Sequence, residues 1–281
     1  MRLPVAVLLA AVACGPSTPA RRSDAAPVRR LVILAPSLTE IAFALGRGDR
    51  VVGVDTFSRY PAAAARLPKV GGLVDPSLEG ILALSPDLVL LSSAASSLDA
   101  RLRAAGVRAR VLRCESLGDL RADVAALGEI LDARPAAEAL TARLDRELDA
   151  VRRATTGRPR PRVRYGFDRP PGAIRDVFAA GRRSFLHELL GIAGGANVFG
   201  DEARGAVSVS HEALLAARPE VVFDATADPA GLAPWQAVPE LPAVRTGRLV
   251  ATADPVFTIP GPRVGEVARR MARAIHPEAV P

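Results

Sequence analysis

Lysine is nearly missing from this sequence: Lys69 is the sole one among 37 basic residues. The net charge of +7 therefore rests on arginines scattered along the whole chain, with no basic run interleaved with aromatics, and this excludes a nucleic-acid-binding surface. Two cysteines, Cys14 and Cys114, are too few for a disulfide framework. The three histidines, His187, His211 and His276, share no metal-ligand spacing. No Gly-x-Ser-x-Gly elbow, Walker loop, dinucleotide fingerprint or His-Glu-x-x-His motif occurs. These absences point away from an enzyme and from a resident metal or cofactor. An extracytoplasmic metal-dependent hydrolase would need His187, His211 and an acid to converge on one point.

Long apolar runs are also lacking. Residues 3–13 form an apolar stretch of eleven, broken at Pro4, whereas a membrane-spanning helix needs about 20. Arg2 before the stretch and the small residues Ala13-Cys14-Gly15 after it read as a secretion signal over 1–13. A cysteine directly after Ala-Val-Ala resembles a bacterial lipoprotein cleavage box, which implies a lipid on Cys14 and attachment to a membrane. Residues 14–29, rich in Pro, Ser, Ala and Arg without an apolar period, then serve as a tether.

What remains is ordinary globular sequence, 49 % apolar and 24 % charged, and long enough for two domains. Continuous apolar runs at 31–34, 51–54, 88–91 and 109–112 suit parallel strands covered on both faces. Ser37 followed by Glu40 predicts a capping box for a helix over 38–45. Nothing strand-like occurs between 117 and 155, where Leu140, Leu144, Leu148 and Val151 share one helical face. Strands and helices resume at 163–167, 183–190, 221–224, 249–252 and 264–275. The expectation is an α/β protein of two doubly wound lobes with mainly parallel sheets, 30–132 and 157–281, joined by one long helix over 133–156.

An internal repeat supports two lobes independently. Residues 77–89 overlay residues 210–222 without a gap, at an offset of 133, with Ser77/Ser210, Glu79/Glu212 and Pro86/Pro219 matched and an acid after each proline. Serine caps a short helix, glutamate complements its dipole, and proline ends it before a strand. Two copies of one unit imply a pseudo-twofold molecule with a cleft on its axis, a common place for a ligand.

Aromatics make up 4 % of the chain, and several fall in predicted loops. Phe57, Arg59 and Tyr60 follow the second strand, Gly72 and Leu73 the next apolar stretch, and Arg182 and Arg183 precede a helix; Trp235 and Phe257 stand in late loops. With Ser37 at the head of the first helix, these form the candidate ligand set. Flat rings and guanidinium groups suit a large planar or chelate ligand carrying carboxylates, amides or catecholates.

The run 31–45, the strand Val51-Val52-Gly53-Val54-Asp55 with Arg59-Tyr60-Pro61 after it, the Ser-x-Glu repeat unit, Ala180-Gly181-Arg182-Arg183-Ser184-Phe185, Gly194-Gly195-Ala196-Asn197-Val198 and Pro260-Gly261-Pro262-Arg263 together resemble the helical-backbone periplasmic binding proteins of ABC importers. That family takes up cobalamin, haem and ferric siderophores. The resemblance implies a stiff helix between lobes and docking of Glu79 and Glu212 on arginines of a permease dimer. It implies a carrier and not an enzyme, and the lack of any interface signature in the sequence makes a monomer the expectation. Tyr60 stands where cobalamin-binding members carry a stacking tyrosine, but their tryptophans are replaced by Leu73, by the Ser92-Ser93 region and by Ala206. Gly72 stands where haem-binding members carry an iron-ligating tyrosine. A corrinoid is the first expectation for the ligand and a ferric siderophore the second.

Overall fold

The computed structural model describes residues 27–72, 75–175 and 177–278. Cys14, the leader and Leu73 lie outside the described residues. The first lobe comprises β1 (Leu31–Leu34), α1 (Pro36–Ala44), β2 (Val51–Val54), α2 (Ala62–Ala65), α3 (Leu78–Ala83), β3 (Leu88–Ser92), α4 (Asp99–Ala104), β4 (Ala109–Leu112) and α5 (Leu117–Ile130). The long helix α6 (Arg134–Thr155) follows. After it come β5 (Arg162–Asp168), β6 (Val177–Ala180), α7 (Phe185–Ile192), β7 (Ala196–Asn197), β8 (Ala206–Val209) and α8 (His211–Ala217). The chain ends with β9 (Val221–Asp224), α9 (Pro242–Arg245), β10 (Leu249–Ala251) and α10 (Val264–Ile275).

Two sheets result. In the first, the order is β2-β1-β3-β4 and every pair is parallel. Its strands are apolar at successive positions because both faces are covered: Leu31, Ile33, Leu88 and Leu90 enter one core, while Val32, Leu34, Val89 and Leu91 enter another on the opposite face. The second sheet runs β10-β9-β5-β6-β8, with β7 also pairing β5. Here β5, β7, β9 and β10 are mutually parallel, but β6 is antiparallel to both β5 and β8. The α/β architecture with mainly parallel sheets is as read from the sequence; the antiparallel strands were not foreseen.

The repeat is structural in detail. Ser77 accepts the Gly80 N–H at 3.0 Å, and Ser210 accepts the Ala213 N–H at 3.2 Å. Ser85 and Arg218, equivalent positions just before the two prolines, both adopt φ of 44°. The Arg30 guanidinium donates twice to the Leu84 carbonyl (2.6 and 3.1 Å), as Arg162 does to that of Ala217 (2.7 and 2.9 Å). Asp87 accepts the Arg30 N–H and Glu220 the Arg162 N–H, at 2.8 and 2.7 Å. One hydrogen-bond scheme thus seats β3 beside β1 and β9 beside β5.

The capping box expected at Ser37 and Glu40 is absent. Pro36 occupies the first turn, Ala35 is the N-cap, and no side chain caps α1. Proline at this position needs no hydrogen-bond acceptor for its nitrogen and has a helical φ in advance, so the helix starts two residues early. Glu40 instead meets Arg263, 223 residues away, at 2.5 and 2.9 Å.

Helix α6 buries Ala137, Leu140, Leu144, Leu148 and Val151 and packs against α5 on one side and α7 and α10 on the other. Two glycines permit the close crossings: a Cβ on Gly128 of α5 would stand 2.6 Å from Ala137, and one on Gly265 of α10 would collide with Glu147. The resulting apolar core is continuous from β1 and α1 through α6 to β5, β9 and α10.

Candidate ligand-binding cleft

Parallel sheets bind ligands beyond the carboxyl ends of their strands, where loops are free to vary. A cavity of about 600 Å³ lies at that edge of the first sheet. Each strand contributes: Ala35, Pro36 and Ser37 after β1, Phe57 and Arg59 after β2, Ser92, Ser93 and Ala94 at the end of β3, and Arg113, Cys114 and Glu115 after β4. Pro255, Thr258, Ile259 and Pro260, which follow β10, close the opposite wall. The cleft is therefore shared between the carboxyl edges of both sheets.

The loop after β2 is held rigidly. The buried Asp55 carboxylate accepts the N–H groups of Phe57 (2.7 Å) and Ser58 (3.1 Å) and the Ser58 hydroxyl (2.5 Å), while Lys69 Nζ donates to the Ser58 carbonyl at 2.6 Å. So anchored, the loop holds Phe57 and Tyr60 in solvent at 57 % and 50 % exposure. Large aromatics held that open on a fixed backbone are ready for a ligand. Tyr60 does not line the cavity itself; one face of its ring carries the Arg263 guanidinium at 4.0 Å, a cation–π contact. Arg263 is in turn clamped by the buried Glu40, whose carboxyl is raised by burial despite the guanidinium.

Cys114 is half-buried in the cavity wall at φ of 57°. Burial first, and then the Asp123 carboxylate, push its thiol well above the ordinary range, so it stays a neutral S–H. Gly72 lies beside Phe57, and its N–H donates to the Asp75 carboxylate at 3.1 Å; a Cβ there would stand 2.5 Å from that carboxylate and displace it.

The remaining expected site residues are dispersed. Arg182 and Arg183 are exposed in the turn before α7, with Arg183 3.9 Å from Glu115 at the cleft rim. Trp235 corrects the sequence reading: it is fully buried and donates its indole N–H to Asp224 at 2.6 Å. Phe257 is also buried, under Arg270 at 4.4 Å, while its neighbours Pro255 and Thr258 line the cleft. The histidines stand apart: His187 faces Asn197, His211 the Ile174 carbonyl, and His276 is buried against the Gly194 carbonyl.

Sequence reasoning passed over Arg113 and Glu115. Both lie within three positions of Leu112, the last apolar residue of β4, a signal available in advance. Phe178 is 45 % exposed opposite Asp168, the last residue of β5, and its strand was not recognised. A separate cavity of about 560 Å³ near the end of α6 is rich in arginine, but Arg121, Arg152 and Arg158 there are paired with Asp145, Asp149 and Glu278.

A family model for periplasmic binding proteins matches residues 31–256. The chain belongs to the periplasmic binding protein family. Among the relatives of this periplasmic binding protein is the vitamin B12-binding protein of Vibrio parahaemolyticus, 30 % identical over 84 % of this chain and 86 % of that one. YvrC of Bacillus subtilis, an ABC transporter substrate-binding lipoprotein, is 28 % identical over 89 % of this chain and 81 % of its own length. The solved structure of the periplasmic haem-binding protein RhuT from Roseiflexus sp. RS-1 superimposes with a TM-score of 0.77 at 29 % identity, covering 89 % of this chain and 99 % of that one.

Proposed function

We propose that this periplasmic binding protein is the extracytoplasmic solute-binding component of an ABC importer and that it captures a corrinoid in its cleft. The observation that carries the reading is the 600 Å³ cavity with Phe57 standing open beside it. Its described lining offers neither histidine nor tyrosine to an open metal position. Such a site suits a chelate whose metal already carries its own axial ligands, as corrinoid cobalt does, better than haem. The similarity to a vitamin B12-binding protein supports the same choice.

Delivery would use Glu79 and Glu212. Helices α3 and α8 run back along strands whose carboxyl ends face the cleft, so both N-termini lie at the cleft edge. Each glutamate is exposed in a first turn. A pseudo-twofold carrier presenting like charges there matches a twofold permease with arginine sockets. Lipidation of Cys14 would hold the carrier at the membrane, in line with the lipoprotein relative.

A ferric siderophore is the second reading, and Arg59 is what favours it. Its guanidinium lines the cleft and makes no ion pair among the described residues, as a carboxylate or catecholate ligand would require. Absorption titration of the purified protein with cyanocobalamin, dicyanocobinamide, haemin and ferric siderophores decides between them. Corrinoid bands are expected to shift at micromolar protein. Failure of every coloured chelate to bind would remove the carrier reading.

A further inference from the structure

Ser92 ends β3 within the cleft lining. It is 8 % exposed, yet its hydroxyl has no hydrogen-bond partner among the described residues. Burying a hydroxyl unpaired costs free energy, and deleting it, as an alanine does, removes that cost. An orphaned hydroxyl in a ligand cavity is therefore a group waiting for a partner that enters with the ligand.

Its neighbours narrow the partner's chemistry. Ser37 and Cys114 line the same floor, and the Cys114 thiol is held neutral by burial. Ser93 donates to the Arg113 carbonyl at 2.8 Å. Behind the floor stands the Asp123 carboxylate, which accepts the Cys114 N–H at 3.2 Å, and Glu115 lies alongside. An anionic arm reaching Ser92 would meet these acids, while the cations of the cleft are committed, Arg113 to Asp119 at 3.0 Å and Arg183 to Glu115 at 3.9 Å, or stand at its exposed mouth, as Arg59 does. A neutral arm that both donates and accepts fits a hydroxyl that does the same.

We propose that Ser92 is a specificity-determining residue that receives an uncharged carboxamide arm of the ligand at the cleft floor, while the flat body rests on Phe57 and any negative group stays at Arg59. The assignment rests on the corrinoid reading above.

The test compares wild type with Ser92→Ala, using dicyanocobinamide, whose arms are carboxamides, and dicyanocobyrinic acid, whose arms are carboxylates. Wild type is expected to bind cobinamide more tightly than the acid. Ser92→Ala should weaken cobinamide about tenfold, the usual cost of a lost hydrogen bond to a buried group. Binding of the acid should stay the same. The melting temperature of the ligand-free variant should be unchanged or higher, because an unpaired hydroxyl has been removed; a merely structural serine would lower it. Equal cobinamide affinity in the two proteins, equal affinity of wild type for both corrinoids, or a lowered melting temperature overturns the role of Ser92 and leaves the carrier reading intact. Absence of cobinamide binding by wild type overturns both.

Discussion

Trp235 is the chain's single tryptophan, and a ligand site built on planar stacking would be expected to use it. The structure spends it instead on Asp224, whose carboxylate also takes Arg169 at 2.8 Å. Arg164, buried beneath the indole at 5.1 Å, is lowered by that burial to about 10. Trp235→Phe keeps the ring and deletes the donor, so it should cost about 1 to 3 kcal/mol in urea unfolding. Ligand affinity should not change; a weakened ligand with intact stability would return the indole to the cleft.

Asp228 belongs to the same cluster. The N–H groups of Gly172 and Ala230, and then Arg169, hold its carboxyl down at about 2, against an ordinary 3.8. Because the folded value is the lower one, the stability it contributes is complete above about pH 4 and is lost as pH falls toward 2. Melting temperature should decline over that window in wild type, and the decline should be shallower in Asp228→Asn. Tryptophan and aspartate in a loop read alike from sequence whether they bind a ligand or lock a loop. What separates the two is which partner lies across the fold, here Asp224 and Arg169, and no local pattern encodes that pairing.

At the level of elements, the repeat shows how much a short pattern can carry. Serine, glutamate and proline at fixed spacing located α3, α8, β3 and β9 because each acts locally: a cap, a dipole partner and a stop. Ser77→Ala and Ser210→Ala should each lower stability by about 1 kcal/mol, the usual worth of such a cap. Since the two caps lie in different lobes and share no partner, the double variant should show the sum in chemical denaturation. A much larger effect from one copy would break the equivalence. The same reasoning explains the misreading at α1, where Ser37 and Glu40 have capping-box spacing but Pro36 had already claimed the helix start. Strands β6 and β8 escaped notice for a different reason. Each is four residues long, and α7 and β7 lie between them, so their pairing is nonlocal and no turn announces it.

Across the whole molecule, one apolar core runs from the first sheet through α6 to the second, and Arg263 ties Tyr60 and Glu40 to the segment before α10. Such a frame permits small adjustments of the cleft rather than a wide hinge, so a docking surface that spans both lobes can keep a fixed spacing with ligand bound or free. The proposed recognition by a twofold permease would use that spacing, with charge at two separated points as its means. Both glutamates are solvent-exposed and caps keep their helices intact without them, so Glu79→Ala with Glu212→Ala should leave ligand affinity unchanged and lower the melting temperature only slightly, by the lost dipole partners. In vesicles carrying the cognate permease, ligand-stimulated ATP hydrolysis and uptake should fall by tenfold or more in the double variant. Each single variant should fall less, because the other lobe still docks; loss of two interfacial charge pairs costs roughly 2 to 5 kcal/mol apiece when buried and much less at a rim. Unchanged uptake by the double variant would show that the glutamates serve their helix dipoles alone, and the two-point docking scheme would go with it.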